Sequence, residues 1–145
     1  MIARLRKAQE QKDQGFTLIE LLVVIIIIGI LSAIAIPVFM DQSRKAVDKA
    51  AQADVSAISK QVATYFIDND APLSIASADG GDSYTITNTA TPQFSQVLPK
   101  SDKRFTATIT PTTGMNGTNY VVRVTYTGGK HAWVEYSAAG GITLP

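Results

Sequence analysis

The chain has 145 residues, a net charge of +1 from 13 basic and 12 acidic side chains, one His and no Cys. The balanced, mixed charge gives no sign of a nucleic-acid surface, and the lack of Cys excludes disulfides and thiolate metal sites. A chain of this length forms one domain, and a long N-terminal helix leaves only about 75 residues for a core, which must therefore include that helix.

Residues 1–15 form a short hydrophilic segment with four basic and two acidic side chains. Basic residues before an apolar run favour the cytoplasmic side of a membrane. However, Arg44, Lys45 and Lys49 follow the run on its other side. Charge alone is therefore a weak indicator of orientation.

An apolar run follows from Phe16 to Ile36, in which only Thr17, Glu20 and Ser32 are polar. As a helix it is roughly 30 Å long, the thickness of the hydrocarbon core of a bilayer. Its own side chains are apolar on every side of the helix, so the helix needs lipid or protein around it. We predict a transmembrane helix over 16–38.

Glu20 is the one acidic residue of this run, and two interpretations of it stay open. A carboxylate at the centre of a membrane helix costs about 3 kcal/mol, and less near the interface, where Glu20 lies. In the first interpretation, Glu20 snorkels to the headgroups and complements the helix dipole. In the second, the carboxylate awaits a positive partner that one molecule alone does not provide.

The segment Gly15-Phe16-Thr17-Leu18-Ile19-Glu20, with a basic leader before it and an aliphatic run and Pro37 after it, resembles the amino terminus of type IV pilins. The pseudopilins of type II secretion and DNA uptake share this pattern, and the resemblance covers residues 1 to about 70. It implies that residues 1–15 are a cytoplasmic leader, cut between Gly15 and Phe16 by a prepilin peptidase, and that the new amino group of Phe16 is methylated. Cleavage makes Glu20 the fifth residue, and a staggered neighbour could bring its Phe16 ammonium to it.

A competing interpretation is an ordinary secretory signal peptide with an A-x-A cleavage site at Ala33-Ile34-Ala35. The length of the apolar run and the Gly15–Phe16 junction before it argue against this. Under the pilin interpretation the apolar helix stays on the mature protein.

Gly29 and Pro37 lower the helix propensity of the run. Pro37 cannot donate a hydrogen bond to the carbonyl of Ala33, which predicts a kink between these residues. Gly29 either permits close packing of helices or forms a soft segment that stretches or melts when subunits enter a filament.

Beyond Pro37 the apolar residues recur every three to four positions, which predicts an amphipathic continuation of the helix over 39–70. The helix would end at Asp68-Asn69-Asp70-Ala71-Pro72. Its apolar face comprises Val47, Ala51, Val55, Ile58, Val62 and Tyr65 or Phe66, and its polar face Lys45, Asp48, Lys49, Gln52, Ser56, Ser59 and Lys60.

The remaining residues, 71–145, predict a globular head with surface loops in which an antiparallel sheet of three or four strands covers the apolar face, an α+β fold. Alternation indicates a strand at Tyr120–Thr127, with Tyr120, Val122, Val124 and Tyr126 on one face. Gly128-Gly129 indicates a tight hairpin into a second strand that His131 opens. Shorter β-prone runs are Ser83–Thr87, Phe105–Thr110 and Ile142–Leu144, and the other residues of 71–119 are expected to be loop.

Candidate chemical sites are few. The single His131 is expected to lie on a strand face, and no nucleophile–base pair or metal-ligand spacing is present. Asp79-Gly80-Gly81-Asp82 is typical of a turn, with calcium binding as the alternative. Asn116-Gly117-Thr118 matches a glycosylation sequon, although Asn-Gly is first a turn signal.

The residues and the resemblance together predict a structural subunit of a type IV pilus, with no enzymatic activity, cofactor or metal. The implied partners are copies of the same chain, the prepilin peptidase, the assembly platform protein with its ATPase, and the cytoplasmic membrane before export into an extracellular pilus. The alternative is a major pseudopilin. Such proteins often carry an acidic calcium loop near the C-terminus, whereas Glu135 is the only acid after Gly114.

Overall fold

A computed structural model describes residues 15–77, 80–88, 93–111 and 114–145. The proposed leader up to residue 14 and Asp79 lie outside these ranges. The chain divides into two compact units, Met1–Met40 and Asp41–Pro145. The described elements are the helix α1 (Leu18–Asp68) and the strands β1 (Leu73–Ala76), β2 (Ser83–Asn88), β3 (Ser95–Pro99), β4 (Thr106–Thr110), β5 (Val121–Thr125), β6 (Trp133–Ser137) and β7 (Gly141–Thr143).

The predicted long helix is confirmed, since α1 begins at Leu18 and ends at Asp68 with Pro37 inside it. The Asn69 side chain donates to the carbonyl oxygen of Tyr65 at 3.0 Å and so satisfies one of the last free carbonyls. In the first unit, the apolar side chains of α1 are exposed, and the most apolar window has a mean hydropathy of 3.1. By length and composition this helix could cross a membrane. A kink at Pro37 stays a prediction.

The second unit confirms the α+β class and contains two antiparallel sheets. One has four strands in the order β4-β5-β6-β7, and the other has three in the order β1-β2-β3. The expectation of loop at the sites of β1 and β3 is wrong. These strands are short, each contains a Ser and β3 ends at Pro99, but they pair with both edges of β2 (Ser74↔Thr87↔Ser95), and this pairing decides their conformation.

The tight turn predicted at Gly128-Gly129 is also wrong. The β5–β6 ladder ends at the pair Thr125↔Trp133, and the Tyr126 amide donates to the carbonyl of Ala132 at 3.0 Å. Residues 127–131 therefore form a longer loop, and His131 lies in that loop rather than at the start of a strand. The physical reason is a buried carboxylate on α1, described below, to which the amides of this loop donate.

The core lies between one face of α1 and the inner faces of the two sheets. The predicted alternation in β5 is confirmed, because Tyr120, Val122, Val124 and Tyr126 are all buried. The predicted face of α1 is confirmed as well, with Ala51, Val55, Ile58, Val62 and Tyr65 buried. Two residues assigned to the polar face, Asp48 and Ser59, are instead buried; Asp48 continues the buried series one turn before Ala51.

Candidate processing and assembly site

The start of α1 is a reciprocal cap between Thr17 and Glu20. The Thr17 amide donates to Glu20 Oε2 at 2.8 Å and the Thr17 hydroxyl to the same oxygen at 2.7 Å. In return, the Glu20 amide donates to the Thr17 hydroxyl at 3.3 Å. This is a capping box, which satisfies amide groups that the first turn of a helix otherwise leaves unpaired.

The capping box explains why the helix begins at Leu18 and leaves Gly15 and Phe16 outside it. Phe16 is 87% exposed, and a Cβ added to Gly15 would meet no atom within 4 Å. A peptide bond before the first helical residue can adopt the extended form that a protease cleft requires. Gly15 and Phe16 are both exposed, so nothing among the described residues covers the bond between them.

Glu20 has one carboxylate oxygen in the capping box and another with no described hydrogen bond. Both bonds from Thr17 end on Oε2, so among the described residues Oε1 has no donor. A carboxylate accepts several hydrogen bonds at once. Glu20 can therefore keep its capping role and still accept an ammonium from another molecule.

The interpretations of Glu20 from the sequence do not include its bond to Thr17. The spacing Thr17-Leu18-Ile19-Glu20 is that of a capping box, and this pattern in the sequence could have indicated the bond. The other proposed assembly residues lie further along α1, where Gly29 and Pro37 are exposed. A Cβ added to Gly29 would meet no atom within 4 Å, so no contact within the described chain requires a glycine there.

Asp48 is the buried acid of α1 that shapes the β5–β6 loop. Its Oδ1 accepts from the Tyr126 hydroxyl at 3.0 Å and from the Lys130 amide at 3.1 Å. Its Oδ2 lies 2.9 Å from His131 Nδ1. Burial raises the pKa of Asp48, but the bonds from the His131 side chain and amide and from Tyr126 outweigh it and leave the pKa below its ordinary value.

Asp54 attaches the other sheet to the same helix. Its Oδ2 accepts from the Tyr84 hydroxyl of β2 at 2.8 Å and from the Ser101 amide at 3.0 Å. Its Oδ1 accepts from the Ser101 hydroxyl at 2.5 Å. Asp48 thus connects α1 to the β5–β6 loop, and Asp54 connects it to β2 and to the segment between β3 and β4, so both act as structural anchors.

The other sequence candidates lie on the surface or in turns, as far as they are described. No group of three or more possible metal ligands occurs in the part of the chain that is described. Asp82 pairs with Lys103 on the surface. The carboxamide oxygen of Asn116 accepts from the amide and hydroxyl of Thr118, which confirms a local turn there.

Comparison with known proteins finds a family model that matches the N-terminal part of the chain and several relatives. Residues 11–36 match the family model described as "Prokaryotic N-terminal methylation motif". The chain is 38% identical over 60 residues to type II secretion system core protein G of Dickeya chrysanthemi, which covers 41% of this chain and 39% of that protein. It therefore spans about two fifths of the length of these relatives.

Two further relatives differ in how much of the chain they match. The type IV narrow pilus major component PilA5 of Thermus thermophilus is 53% identical over 51 residues, or 35% of this chain and 40% of that protein. Fimbrial protein EcpB of Eikenella corrodens is 33% identical over 130 residues, which is 88% of this chain and 76% of that protein. No solved structure gives a significant match.

Proposed function

Because the chain belongs to the type IV pilin and pseudopilin superfamily, we propose that it is a structural subunit of a type IV pilus. The observation that carries this choice is the extent of the similarity. One relative that matches 130 residues, and so extends into both sheets, is a fimbrial protein, whereas the match to secretion core protein G stays within about 60 residues. The subunit acts by polymerising, without enzymatic activity or a cofactor.

The proposed first step is processing at the membrane. Residues 1–15 face the cytoplasm, α1 holds the chain in the bilayer, and a prepilin peptidase cuts the bond between Gly15 and Phe16. The exposure of this bond before the capped helix start supports this order. The amino group of Phe16 is then methylated and stays basic.

The proposed second step is assembly, in which Glu20, Phe16, Gly29 and Pro37 each have a role. The apolar helices exchange lipid for one another, with the assembly platform and its ATPase driving extraction into an extracellular filament. The ammonium of Phe16 in one subunit approaches Glu20 of a staggered neighbour, and the pair fixes the register. Gly29 and Pro37 let this part of α1 adjust as subunits pack.

The test is expression of the chain in bacteria that retain the pilus machinery but lack their own pilin. We expect surface filaments by electron microscopy and a mature N-terminus at Phe16 by mass spectrometry. Gly15→Val should leave the full-length precursor, because a branched side chain prevents the backbone from entering the protease. A mature chain beginning at Ile36 would instead support a secretory signal peptide.

The second candidate is a major pseudopilin, which the several secretion core protein G relatives favour. Under that function, cells without the gene would lose protein secretion or DNA uptake, and no long surface filament would form at normal expression. Filament imaging and a secretion assay on the same strains therefore separate the two candidates.

A further inference from the structure

Among the described residues, the exposed charged side chains of the second unit form ion pairs on the strands and loops, whereas several of those on the helix do not. On the strands and loops, the ion pairs are internal: Lys103 with Asp82, Arg104 with Asp102 and Arg123 with Glu135. On α1 the carboxylate of Asp41 binds Lys45 and also Lys130. These charges are satisfied within a single chain.

The remaining exposed charges of α1 are not satisfied in this way, and they are segregated along its axis. Within the described residues, no ion pair involves Arg44, Lys49 or Lys60, and none involves Asp68 or Asp70. Lys49 has only a neutral partner, Gln52 Oε1, at 3.1 Å. The basic residues thus precede the acidic ones, which lie at the end of the helix.

Lys49 and Lys60 lie on the same side of α1, because about three helical turns separate them. The opposite side is the buried face that carries Val55 and Ile58. Between the two lysines the exposed positions include Ala53 and Ala57. The solvent side of α1 therefore presents two cations with small side chains between them, an open surface for a negatively charged partner.

Asp68 is unfavourably placed for an isolated chain. It is the last residue of α1, where the helix dipole is negative and a cation rather than an acid is stabilising. Asp70 adds a second negative charge beside it, and the last turn of the helix has no basic residue. A cation supplied by another molecule would relieve this repulsion.

We propose that Asp68 of one subunit binds Lys60 on the solvent side of α1 in an adjacent copy of this chain. The two charge types sit on one helix at different heights and about 80° apart around it, so two parallel copies bring them together when one copy is displaced along the axis and rotated about it. The proposal rests on the filament function proposed above. It adds a second contact that fixes the axial register. The residues of this contact belong to the second unit and not to the apolar segment.

The positions define the displacement. Lys60 and Asp68 are eight residues apart, so the adjacent copy is displaced by about 12 Å toward the C-terminal end of α1. Pairing of Phe16 with Glu20, which are four residues apart, requires displacement in the same direction by about 6 Å, so the two pairs join a subunit to different neighbours. Contact of Asp68 with Lys49 would need about 28 Å and would give up much of the overlap between the apolar segments.

Charge reversal tests the contact in cells that make this chain as their only pilin. Lys60→Glu and Asp68→Lys should each lower the filament yield about tenfold, because like charges then face each other across the interface. The double variant should restore the yield. Asp68→Lys also places a cation at the helix C-terminus, so the subunit should remain at least as stable while it assembles poorly.

Lys103→Glu is the matched control, because it changes the net charge equally but disrupts only the surface pair with Asp82. It should leave the yield near that of the wild type. A global effect of charge would instead lower the yield in this control as well, and that result would overturn the proposal. Failure of the double variant to restore filaments would also overturn it.

Cysteine cross-linking provides an independent readout in a chain that has no Cys of its own. Lys60→Cys combined with Asp68→Cys cannot close within one helix, since about 12 Å of axial rise separates them and a disulfide needs Cα atoms within about 7 Å. Oxidised filaments of this variant should give a ladder of covalent multimers. No ladder, or a ladder only with Lys49→Cys in place of Lys60→Cys, contradicts the assigned pair.

The two proposals fail in different ways. If the wild-type chain forms no filament, the proposed function is wrong and this contact falls with it. If the wild type forms filaments, normal assembly of both single reversals overturns the contact alone.

Discussion

At the scale of single residues, Asp48 joins α1 to the β5–β6 loop through its carboxylate. Asp48→Asn removes the charge and replaces one acceptor oxygen by an NH2 group, so either His131 Nδ1 at Oδ2 or the Tyr126 hydroxyl and the His131 amide at Oδ1 lose their partner. Because buried unpaired donors are destabilising, we expect the free energy of unfolding to fall by about 3 kcal/mol. Denaturant unfolding of the full chain in mild detergent measures it, and Lys103→Ala, at an exposed ion pair, should change it by less than about 1 kcal/mol.

The same carboxylate predicts how stability depends on pH. The pKa of Asp48 in the folded chain is below its ordinary value, so the folded state binds the proton less tightly than the unfolded state does. Its stabilisation is therefore complete above about pH 4, the unfolded pKa, and is lost as the pH falls through the folded pKa. Asp41, bound by Lys130 and Lys45, acts in the same direction, with a pKa of about 2.

Unfolding measured at pH 5 and at pH 3 tests this. The wild type should be less stable at pH 3, and Asp48→Asn should show a smaller loss between the two values. Equal losses in both proteins would assign the acid sensitivity to other carboxylates.

Glu20 permits a residue-scale prediction about assembly. A buried charge without its partner costs about 3–5 kcal/mol, so Glu20→Gln should give cleaved, membrane-inserted protein that assembles poorly. Glu20→Asp keeps the charge with a shorter reach and should be intermediate. Filament yield is compared in cells with no other pilin.

Thr17→Val is a control for the capping role of Glu20, because it removes the capping hydroxyl but leaves the carboxylate. If Glu20 acts only as a cap, Glu20→Gln should be mild, because Gln also serves at this position of a capping box, and Thr17→Val should impair assembly at least as much. A wild-type yield from Glu20→Gln would rule out the pairing with Phe16.

At the scale of elements, the β5–β6 loop fits α1 only because Gly129 has no side chain. A Cβ at this position would lie 2.7 Å from Tyr126 Cε2 and closer still to Asp48 Oδ1. Gly129→Ala must therefore displace the carboxylate, and we expect a loss of about 2 kcal/mol in the free energy of unfolding.

Gly117→Ala is the matched control, because its nearest neighbour would be Phe66 Cβ at 3.3 Å. It should have a clearly smaller effect on unfolding. Combining Gly129→Ala with Asp48→Asn should give less than the sum of the two losses, since both act on one carboxylate. Strict additivity would mean that the loop and Asp48 contribute independently.

At the scale of the whole molecule, the first unit and the second unit require different environments. The described apolar side chains from Phe16 to Met40 are exposed, and each would gain about 1.5–3 kcal/mol on leaving water. The second unit buries its own core. The first unit therefore needs an apolar environment, which under the proposed function is a bilayer before assembly and neighbouring helices afterwards.

Single-cysteine labelling of detergent-free filaments tests this burial. Ile26→Cys should react slowly with a water-soluble maleimide, because other helices surround it in the filament. Ser95→Cys, exposed on β3, should react fully in the same filaments. Equal reaction at both positions would contradict burial of the apolar segment by assembly.

The sequence alone was sufficient for features that depend on periodicity and local chemistry. The run after Gly15 predicts the helix, the spacing from Ala51 to Tyr65 predicts its buried face, and alternation predicts the inner face of β5. These follow because helix and strand periods fix which side chains share a face. The capping box at Thr17 and Glu20 is equally local and could have been recognised.

Only the tertiary structure decided which polar residues of α1 are buried and where the sheets end. Asp48 and Ser59 have polar side chains, and nothing local in the chain indicates that Tyr126 and His131 would surround the first of them. Likewise, the short segments Leu73–Ala76 and Ser95–Pro99 became β1 and β3 because β2 offered both edges for pairing. Burial of a polar group depends on partners distant in sequence, and strand pairing depends on neighbours, so a local pattern carries neither.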